Sequence, residues 1–198
     1  MGADTRTGRP RKFTNTQLAR DAMGVFWDRG FRGASVSDLS RATGALPGSL
    51  YGAFGDKRGL FAAALECYMK DGLERVRELL GQASSPLDGL RLYLEWQVDL
   101  ACGVAGRHGC MMVKTAMELV PEDAPAAGTV HRTFAGLHEL LTAAVREAQL
   151  VGEMSARWTP EAAAGALLAL VEGFQVLGRT EPPDVLRASG DLLLEALR

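Results

Sequence analysis

The stretch GALPGSLYGAFGDK, residues 44–57, places four glycines and one proline between flanks that both have helical periodicity. Inside a helix each glycine costs about 1 kcal/mol relative to alanine, and a proline costs about 3 kcal/mol. One continuous helix through this segment is therefore excluded. Gly44 suits the end of one helix, and Pro47 suits the first turn of the next, where its missing N–H is no loss.

These glycines and the proline predict two short helices, over residues 35–43 and 47–54. Ser35 to Asp38 fit a capping box that opens the first, and Gly55-Asp56 ends the second and caps a third helix. Two such helices joined by a three-residue turn have the dimensions of a helix-turn-helix. Leu50 and Phe54 are predicted to anchor the second helix as buried residues. Its small residues then let the backbone approach the major groove of DNA.

The rest of the chain also has helical periodicity, with no sustained alternation typical of strands. The predicted fold class is all-α with about nine helices, the others over residues 14–29 (stopped by Gly30), 57–80, 87–103, 110–119, 126–151, 160–178 and 184–197. We divide the chain into a basic N-terminal arm, a helix-turn-helix head and a C-terminal helical domain, over residues 1–12, 13–58 and 59–198.

The net charge of −2 conceals an asymmetry between the two ends of the chain. Residues 1–58 hold ten Lys and Arg against five Asp and Glu, whereas the remainder holds twelve against nineteen. A basic head on an acidic body is typical of a nucleic-acid-binding module, although uneven surface charge is also common. The sequence has no signal-peptide h-region and three unpaired cysteines (67, 102 and 110), which favours the cytoplasm.

The segment SVSDLSRATGALPGSLYGAFGDKRGLF resembles the DNA-binding signature of the TetR/AcrR family of bacterial transcriptional repressors. The resemblance covers roughly residues 10–70, with Tyr51, Phe54, Lys57 and Leu60 at recurrent motif positions. It continues more weakly into GCMMVKTAMEL. One departure is Leu46, because the family commonly has Ser, Thr or Asn there as the N-cap of the recognition helix.

The resemblance implies a ligand-responsive repressor that binds palindromic operator DNA as a dimer. Ser35, Ser37 and Lys57 would contact phosphates, and Tyr51 the backbone and thymine methyl groups. The residues implied to lie over base edges are Ala45, Leu46, Pro47, Gly48 and Ser49. Arg9, Arg11 and Lys12 would extend the contact as a basic arm, or form only a solvated tail.

The resemblance also implies a cavity in the C-terminal domain for a largely apolar inducer. Plain core packing is the alternative for each residue assigned to its wall: Leu65, Tyr68, Met69, Leu94, Val98, Met111, Met112, Thr115, Phe134, His138 and Phe174. Trp96 and Trp158 fit either a cavity wall or an ordinary half-buried site. The long helix from Lys57 would carry the inducer's effect to the head.

Residues 160–178 are apolar on more faces than a helix on one side of a small core requires, and several are small. With the last helix they predict a four-helix homodimer seam. The residues assigned to this interface are Ala164, Leu168, Val171, Gln175, Leu186, Leu193 and Leu197.

Cys110 lies near a predicted helix N-terminus, a position that lowers the pKa of a thiol. Three alternatives stay open: an electrophile or oxidant sensor, a Cu(I) site with His108, Met111 and Met112, and a small buried hydrophobe. An enzyme that uses Cys110 with His108 or His138 is a further alternative, but no known catalytic motif supports it. We therefore expect no enzyme activity, no cofactor and no metal.

Overall fold

The computed structural model describes residues 14–103, 108–120 and 122–198, so the basic arm with Arg9, Arg11 and Lys12 lies outside the described residues. Within those ranges the chain forms nine α-helices and no strand, which confirms the all-α prediction. The helices are α1 Asn15–Gly33, α2 Val36–Thr43, α3 Pro47–Phe54, α4 Lys57–Gln82, α5 Pro86–Cys102, α6 Met111–Leu119, α7 Ala124–Leu150, α8 Pro160–Leu177 and α9 Pro183–Ala196.

The bounds of α2 and α3 follow from local chemistry. Ser35 and Asp38 form the predicted capping box at the start of α2, and Gly44 ends it with a left-handed φ of 63°. Leu46, at the N-cap of α3, makes no side-chain hydrogen bond, so the cap that is usual in the family is missing here. Asp56 caps α4 by accepting a hydrogen bond from the N–H of Gly59 at 2.8 Å.

Helix α1 continues past Gly30, where the sequence predicted its end. Gly30 has a φ of 71°, and the chain resumes a helical path as far as Gly33. The Glu118 carboxylate of α6 accepts hydrogen bonds from the N–H groups of Phe31 and Arg32, at 2.8 and 2.6 Å. The positive φ favours glycine at position 30, and a Cβ atom there would lie 2.5 Å from Glu118 Oε2 and displace this carboxylate.

Two hydrophobic clusters hold the helices together. The first, which we call the head cluster, joins helices α1, α2, α3, α4, α6 and α7. Its buried members are Leu18, Ala22, Phe26, Ala34, Leu39, Leu50, Leu60, Phe61, Ala64, Leu65, Met111, Met112, Leu119, Ala126 and Val130. The second, the body cluster, centres on α5, α7, α8 and α9, with Val76 from α4. Hydrophobic packing therefore continues across the predicted division at residue 58, mainly along α4.

Helix α8 is the most apolar of these elements. Among the described helices it is the one long and apolar enough to cross a membrane, with a mean hydropathy of 1.2. A core helix of a folded protein has the same property, and one face of α8 (Ala163, Ala164, Leu167, Val171 and Phe174) is buried in the body cluster.

Candidate functional site

Helix α3 presents a face of small residues to solvent. Leu46 is 76% exposed, and Pro47, Gly48 and Ser49 are also exposed. Leu50 is fully buried and anchors the helix in the head cluster. The outward face therefore carries little bulk on a firmly held backbone.

Three predictions about the flanks of this face need adjustment. Ala45 and Tyr51 are half-buried and pack against the head cluster, so neither is a freely exposed contact residue. Phe54 was expected to be buried and is only half-buried at the edge of the same cluster. Leu50 is the one residue of α3 that is fully buried.

The side chains predicted to contact phosphates differ in whether they already have a partner within the protein. Ser37 is exposed, but the N–H and hydroxyl of Ser35 both donate to the Asp38 carboxylate. The hydrogen bond from the Ser35 side chain is the main cause that lowers the pKa of Asp38. The Lys57 ammonium lies 4.8 Å from the centroid of the Phe31 ring, at the edge of the α3 surface.

A cavity of about 270 Å³ lies behind the head, between α1, α4, α5, α6, α7 and α8. This volume is close to the lower end of small-molecule sites, about 300 Å³. Of the eleven residues predicted to line it, Tyr68, Met69, Met112 and Phe134 do so. The other seven are absent from its wall.

Those seven residues belong to the packed interior or to other contacts. Leu65, Met111 and Thr115 are buried around the head cluster. Leu94, Val98 and Phe174 belong to the body cluster and surround a second cavity of only about 50 Å³. The ring of His138 lies with Nε2 3.0 Å from the Glu161 carbonyl oxygen.

Sequence reasoning missed several polar and aromatic residues of the cavity wall. Trp27, Gln97 and Glu172 line it, and so does Trp96, whereas Trp158 is exposed elsewhere. Gln175, assigned to the dimer interface, also lines the cavity and donates to Gln97 Oε1 at 3.0 Å. The feature of the sequence that could have identified Glu172 is an acidic residue in the middle of an apolar helix. Burial raises the pKa of Glu172 to about 7.

Cys110 also lines the cavity, at the N-cap of α6. The prediction of a lowered pKa is wrong in direction, since burial raises the pKa of this thiol to about 12. Desolvation of the thiolate outweighs the helix N-terminus, so the thiol stays protonated at neutral pH. His108 instead places Nδ1 3.2 Å from Asp28 Oδ1. In the ranges that the structure describes, no group of His, Cys, Asp and Glu side chains is arranged to hold a metal.

Helix α6 connects the cavity to the head. Its beginning contributes Met112 to the cavity wall. Gly109, just before it, accepts a hydrogen bond from the Trp27 indole N–H at 2.6 Å, and Lys114 donates to the Trp27 carbonyl at 2.6 Å. Together with the hydrogen bonds between Glu118 and the end of α1, these contacts hold α6 against the C-terminal third of α1. The sequence predicts this connection for α4, and α6 is a second one.

The residues assigned to the dimer interface lie mostly inside the protomer. Ala164, Val171, Leu186 and Leu197 are buried in the body cluster, and Leu168 and Leu193 pack against it. Side chains buried in their own protomer are not available to a second copy. The outward face of α8 carries a stripe of small and apolar residues spaced three and four apart: Ala162, Ala166, Ala169, Gly173 and Val176. Val185 and Leu192 are exposed on the neighbouring α9.

Two family models match the chain. The model described as bacterial regulatory proteins, tetR family, matches residues 19–76, and the tetracyclin repressor-like C-terminal domain matches residues 86–187. The HTH-type transcriptional repressor ComR of Escherichia coli (strain K12) is 27% identical over 173 residues, covering 87% of this chain and 82% of that protein.

Solved structures of similar fold extend over nearly the whole chain. A cysteine mutant of the TetR family transcriptional regulator CifR, complexed with 26bp double-strand operator DNA, has a TM-score of 0.83 at 29% identity. The match covers 96% of this chain and 100% of that one. The transcriptional regulator FadR from Bacillus subtilis, in complex with stearoyl-CoA, has a TM-score of 0.71 over 93% of this chain and 97% of that one. Its 18% identity shows a shared fold alone.

Proposed function

The chain belongs to the tetR family of bacterial regulatory proteins, and we propose that it represses transcription by binding palindromic operator DNA as a homodimer. A largely apolar small molecule that enters the cavity releases it from the operator. The family consists of DNA-binding regulators that respond to ligands, and a cysteine mutant of the similar protein CifR is complexed with operator DNA in its solved structure. A repressor of this kind works in the cytoplasm, where the chromosome is.

The outward face of α3 is the observation that carries this proposal. A Cβ atom added at Gly48 or at Gly52 would meet nothing within 4 Å, and neither glycine has a positive φ. The protomer itself therefore has no need of glycine at these positions. Glycines on this exposed face leave the backbone open to a surface that approaches it closely, and the major groove of DNA is such a surface.

Homodimerisation supplies the second half-site. The stripe from Ala162 to Val176 on α8 allows close approach of a second helix, and α9 offers Leu192, which is 73% exposed. A two-fold pairing of α8 and α9 makes a four-helix seam of the predicted kind from residues different from those first assigned. The two α3 helices then have to meet half-sites about 34–36 Å apart, or a multiple of that distance.

The ligand acts on the head through two helices. Helix α4 carries Tyr68 and Met69 in the cavity wall and Lys57 at the head, and α6 carries Met112 in the wall and Glu118 at the end of α1. Displacement of either helix changes the distance between the two α3 helices of the dimer. The ligand shifts this equilibrium only by its differential affinity for the two forms, typically about 1–3 kcal/mol.

The cysteine-based alternatives have less support. A protonated Cys110 is a poor nucleophile, and His108 pairs with Asp28 while His138 lies against α8. Met111 is buried in the head cluster and is absent from the cavity wall that Cys110 and Met112 share, which disfavours a common Cu(I) site. These contacts favour the regulator over a cysteine-dependent enzyme.

The test is a selection of genomic DNA. Sheared DNA from the source bacterium is incubated with the pure protein, and the bound fragments are sequenced and checked by fluorescence anisotropy. The comparison variant is Ser49→Asp, which places a negative charge on the exposed face of α3, and Ala143→Asp on the exposed face of α7 is its matched control.

The proposal expects a palindromic sequence to be enriched by the wild type and by Ala143→Asp, but not by Ser49→Asp. Circular dichroism establishes that both variants are folded. If the wild type enriches no sequence, or if Ser49→Asp enriches the same one, α3 does not read DNA as proposed.

A further inference from the structure

The wall of the 270 Å³ cavity is mostly apolar and aromatic. Trp27, Trp96, Tyr68 and Phe134 supply rings, and methionines from α1, α4 and α6 fill the space between them. Such a wall takes an apolar molecule and has little to offer a polar one. The amides of Gln97 and Gln175 are neutral, so the few charged groups in the wall decide which charge a ligand can carry.

In the part of the chain that the structure describes, three charged residues line the cavity: Asp71, Arg75 and Glu172. Asp71 is held by the Arg20 guanidinium through two hydrogen bonds of 2.6 and 2.7 Å. Arg75 pairs with the Glu78 carboxylate at 3.1 Å. Both charges are thus balanced within the chain.

Glu172 has no such balance. No described residue forms an ion pair with it, and its Oε2 is buried without a hydrogen-bond partner. The thiol of Cys110 acts on the carboxyl as a weak hydrogen-bond donor. Among the described residues, Tyr68 and Tyr93 are the other titratable groups that interact with it, and neither brings a positive charge. A buried carboxylate without a cation is destabilising, and natural proteins rarely keep one without a use.

We propose that the inducer is an organic amine, whose ammonium group pairs with the Glu172 carboxylate while its apolar body fills the aromatic part of the cavity. This inference rests on the proposed function and names the chemical class of its ligand. The ammonium group supplies both the missing charge and the missing hydrogen-bond donor. The rings of Trp27 and Trp96 line the same cavity, where an aromatic ring can add cation–π attraction.

Other ligand classes fit this site less well. A carboxylic acid would bring a second negative charge next to Glu172, and like charges in a buried site repel strongly. An alcohol would donate one hydrogen bond but leave the carboxylate charge without a partner. A hydrocarbon would leave both the charge and the unpartnered oxygen of Glu172 as they are.

The ionisation of Glu172 gives the pairing a characteristic pH dependence. Its pKa is raised to about 7 by burial, whereas an alkylammonium group has a pKa of about 10. Raising the pH from 6 to 8 therefore ionises Glu172 from about one tenth to about nine tenths while the amine stays charged, so amine affinity should rise about tenfold. Tyr68, Tyr93 and Cys110 stay protonated over this range, because burial raises the pKa of each.

The experiment compares probes that share an apolar body and differ in one polar group. The first series is 1-aminoadamantane, 1-adamantanol and adamantane-1-carboxylic acid, and the second is 3-phenylpropylamine with its alcohol and acid analogues. Affinities are measured by titration calorimetry at pH 6, 7 and 8, with the fluorescence of Trp27 and Trp96 as a second readout. The variants are Glu172→Gln and, as a matched control, Glu147→Gln on the exposed face of α7.

We expect at least one amine to bind at least tenfold more tightly than its alcohol at pH 8, with the acid the weakest of the three. Glu172→Gln should abolish both the amine preference and its pH dependence, and Glu147→Gln should keep both. Equal binding of amine and alcohol, a preference for the acid, no binding of either amine at millimolar concentration, or an unchanged preference in Glu172→Gln would each overturn the proposal. If Glu172→Gln does not fold, the pH profile of the wild type decides, since an affinity that is flat from pH 6 to 8 contradicts the pairing.

Operator binding without any probe separates this inference from the proposed function. A protein that enriches a palindrome but shows no amine preference remains a regulator with another ligand. A protein that binds amines but no DNA contradicts the proposed function and leaves the ligand site intact.

Discussion

Helices α3 and α8 both turn small residues outward, but their inner faces differ. The eight residues of α3 contain one fully buried anchor, Leu50. The eighteen residues of α8 bury five side chains in the body cluster. Gly52 on α3 and Gly173 on α8 both have open space where a Cβ atom would be.

This comparison distinguishes two reasons for small residues in a helix, which the amino-acid composition alone does not distinguish. Small residues on an inner face allow helices of the same protomer to approach each other, and replacing them disturbs the fold. Small residues on an outer face are not required by the protomer, and replacing them affects a partner. We assign DNA as the partner of α3 and a second copy of the chain as the partner of α8, and four predictions test this assignment.

The largest expected effect is on the inner face of α8. Leu167→Ala removes a fully buried side chain from the body cluster and should lower the free energy of unfolding by about 2–5 kcal/mol. Urea unfolding at fixed protein concentration measures it. The control Leu150→Ala changes a side chain that is 80% exposed and should stay within about 0.5 kcal/mol of the wild type. Similar losses in both variants would contradict the assignment of the inner face.

On the outer face of α8, Ala169→Glu should leave a folded protomer that no longer dimerises. Light scattering should give the chain mass of 21.2 kDa in place of twice that value. Operator affinity should fall about 100-fold or more, because the second half-site no longer binds intramolecularly. Ala143→Glu on α7 is the matched control and should remain a dimer. A charge at Val171, the position first suggested by the sequence, would instead disrupt the core, since only 1% of this side chain is exposed.

Beside α3, Lys57→Gln should remove one phosphate contact. The dependence of operator affinity on salt should flatten by about one unit of slope, with a uniform loss across sequences. The protein should also lose about 0.5–1 kcal/mol of stability with the cation–π contact to Phe31. Lys70→Gln, on the exposed surface of α4, should change neither quantity. An unchanged slope in Lys57→Gln would place this ammonium group away from the DNA backbone.

The smallest expected effect has opposite signs in stability and binding. Gly52→Ala should stabilise the protein by about 0.4–1 kcal/mol, because alanine restricts the unfolded chain and the added methyl group meets no atom of the protomer. The same methyl group should weaken operator binding if this face enters the groove. Gly81→Ala in α4 also adds a methyl group in open space, and it should stabilise without changing DNA affinity. Equal operator affinities of both variants would show that Gly52 faces away from DNA.

The helix boundaries of the head could be predicted because they depend on local interactions. The capping box of Ser35, the left-handed Gly44, the proline at the start of α3 and the Asp56 cap each act within a few residues, and all were placed correctly. The end of α1 was not, because the partner that allows the chain to continue past Gly30 is Glu118, 88 positions away. No local pattern records such a contact.

The predicted site residues show the same limit of local patterns. Periodicity places Ala162, Ala166 and Ala169 on one face of α8 and Ala164 with Val171 on another, but it does not say which face turns inward. The rotation of each helix about its axis depends on what packs against it. Glu172 was missed and the pKa of Cys110 was misjudged for a related reason, because neither an acidic residue in an apolar helix nor a helix N-terminus reveals how deeply a group is buried. Burial decided both pKa values instead.

The sequence by itself determined the helical class, the helix-turn-helix and the family, because caps, breakers and recurrent motif residues interact over short distances along the chain. The packing of the helices decided which four of eleven predicted residues reach the cavity, which face of α8 is outward, and that a carboxyl group with no cation partner among the described residues lines an apolar cavity. These features depend on how distant helices pack and on how far that packing excludes water. They exist only once the nine helices that the structure describes have assembled.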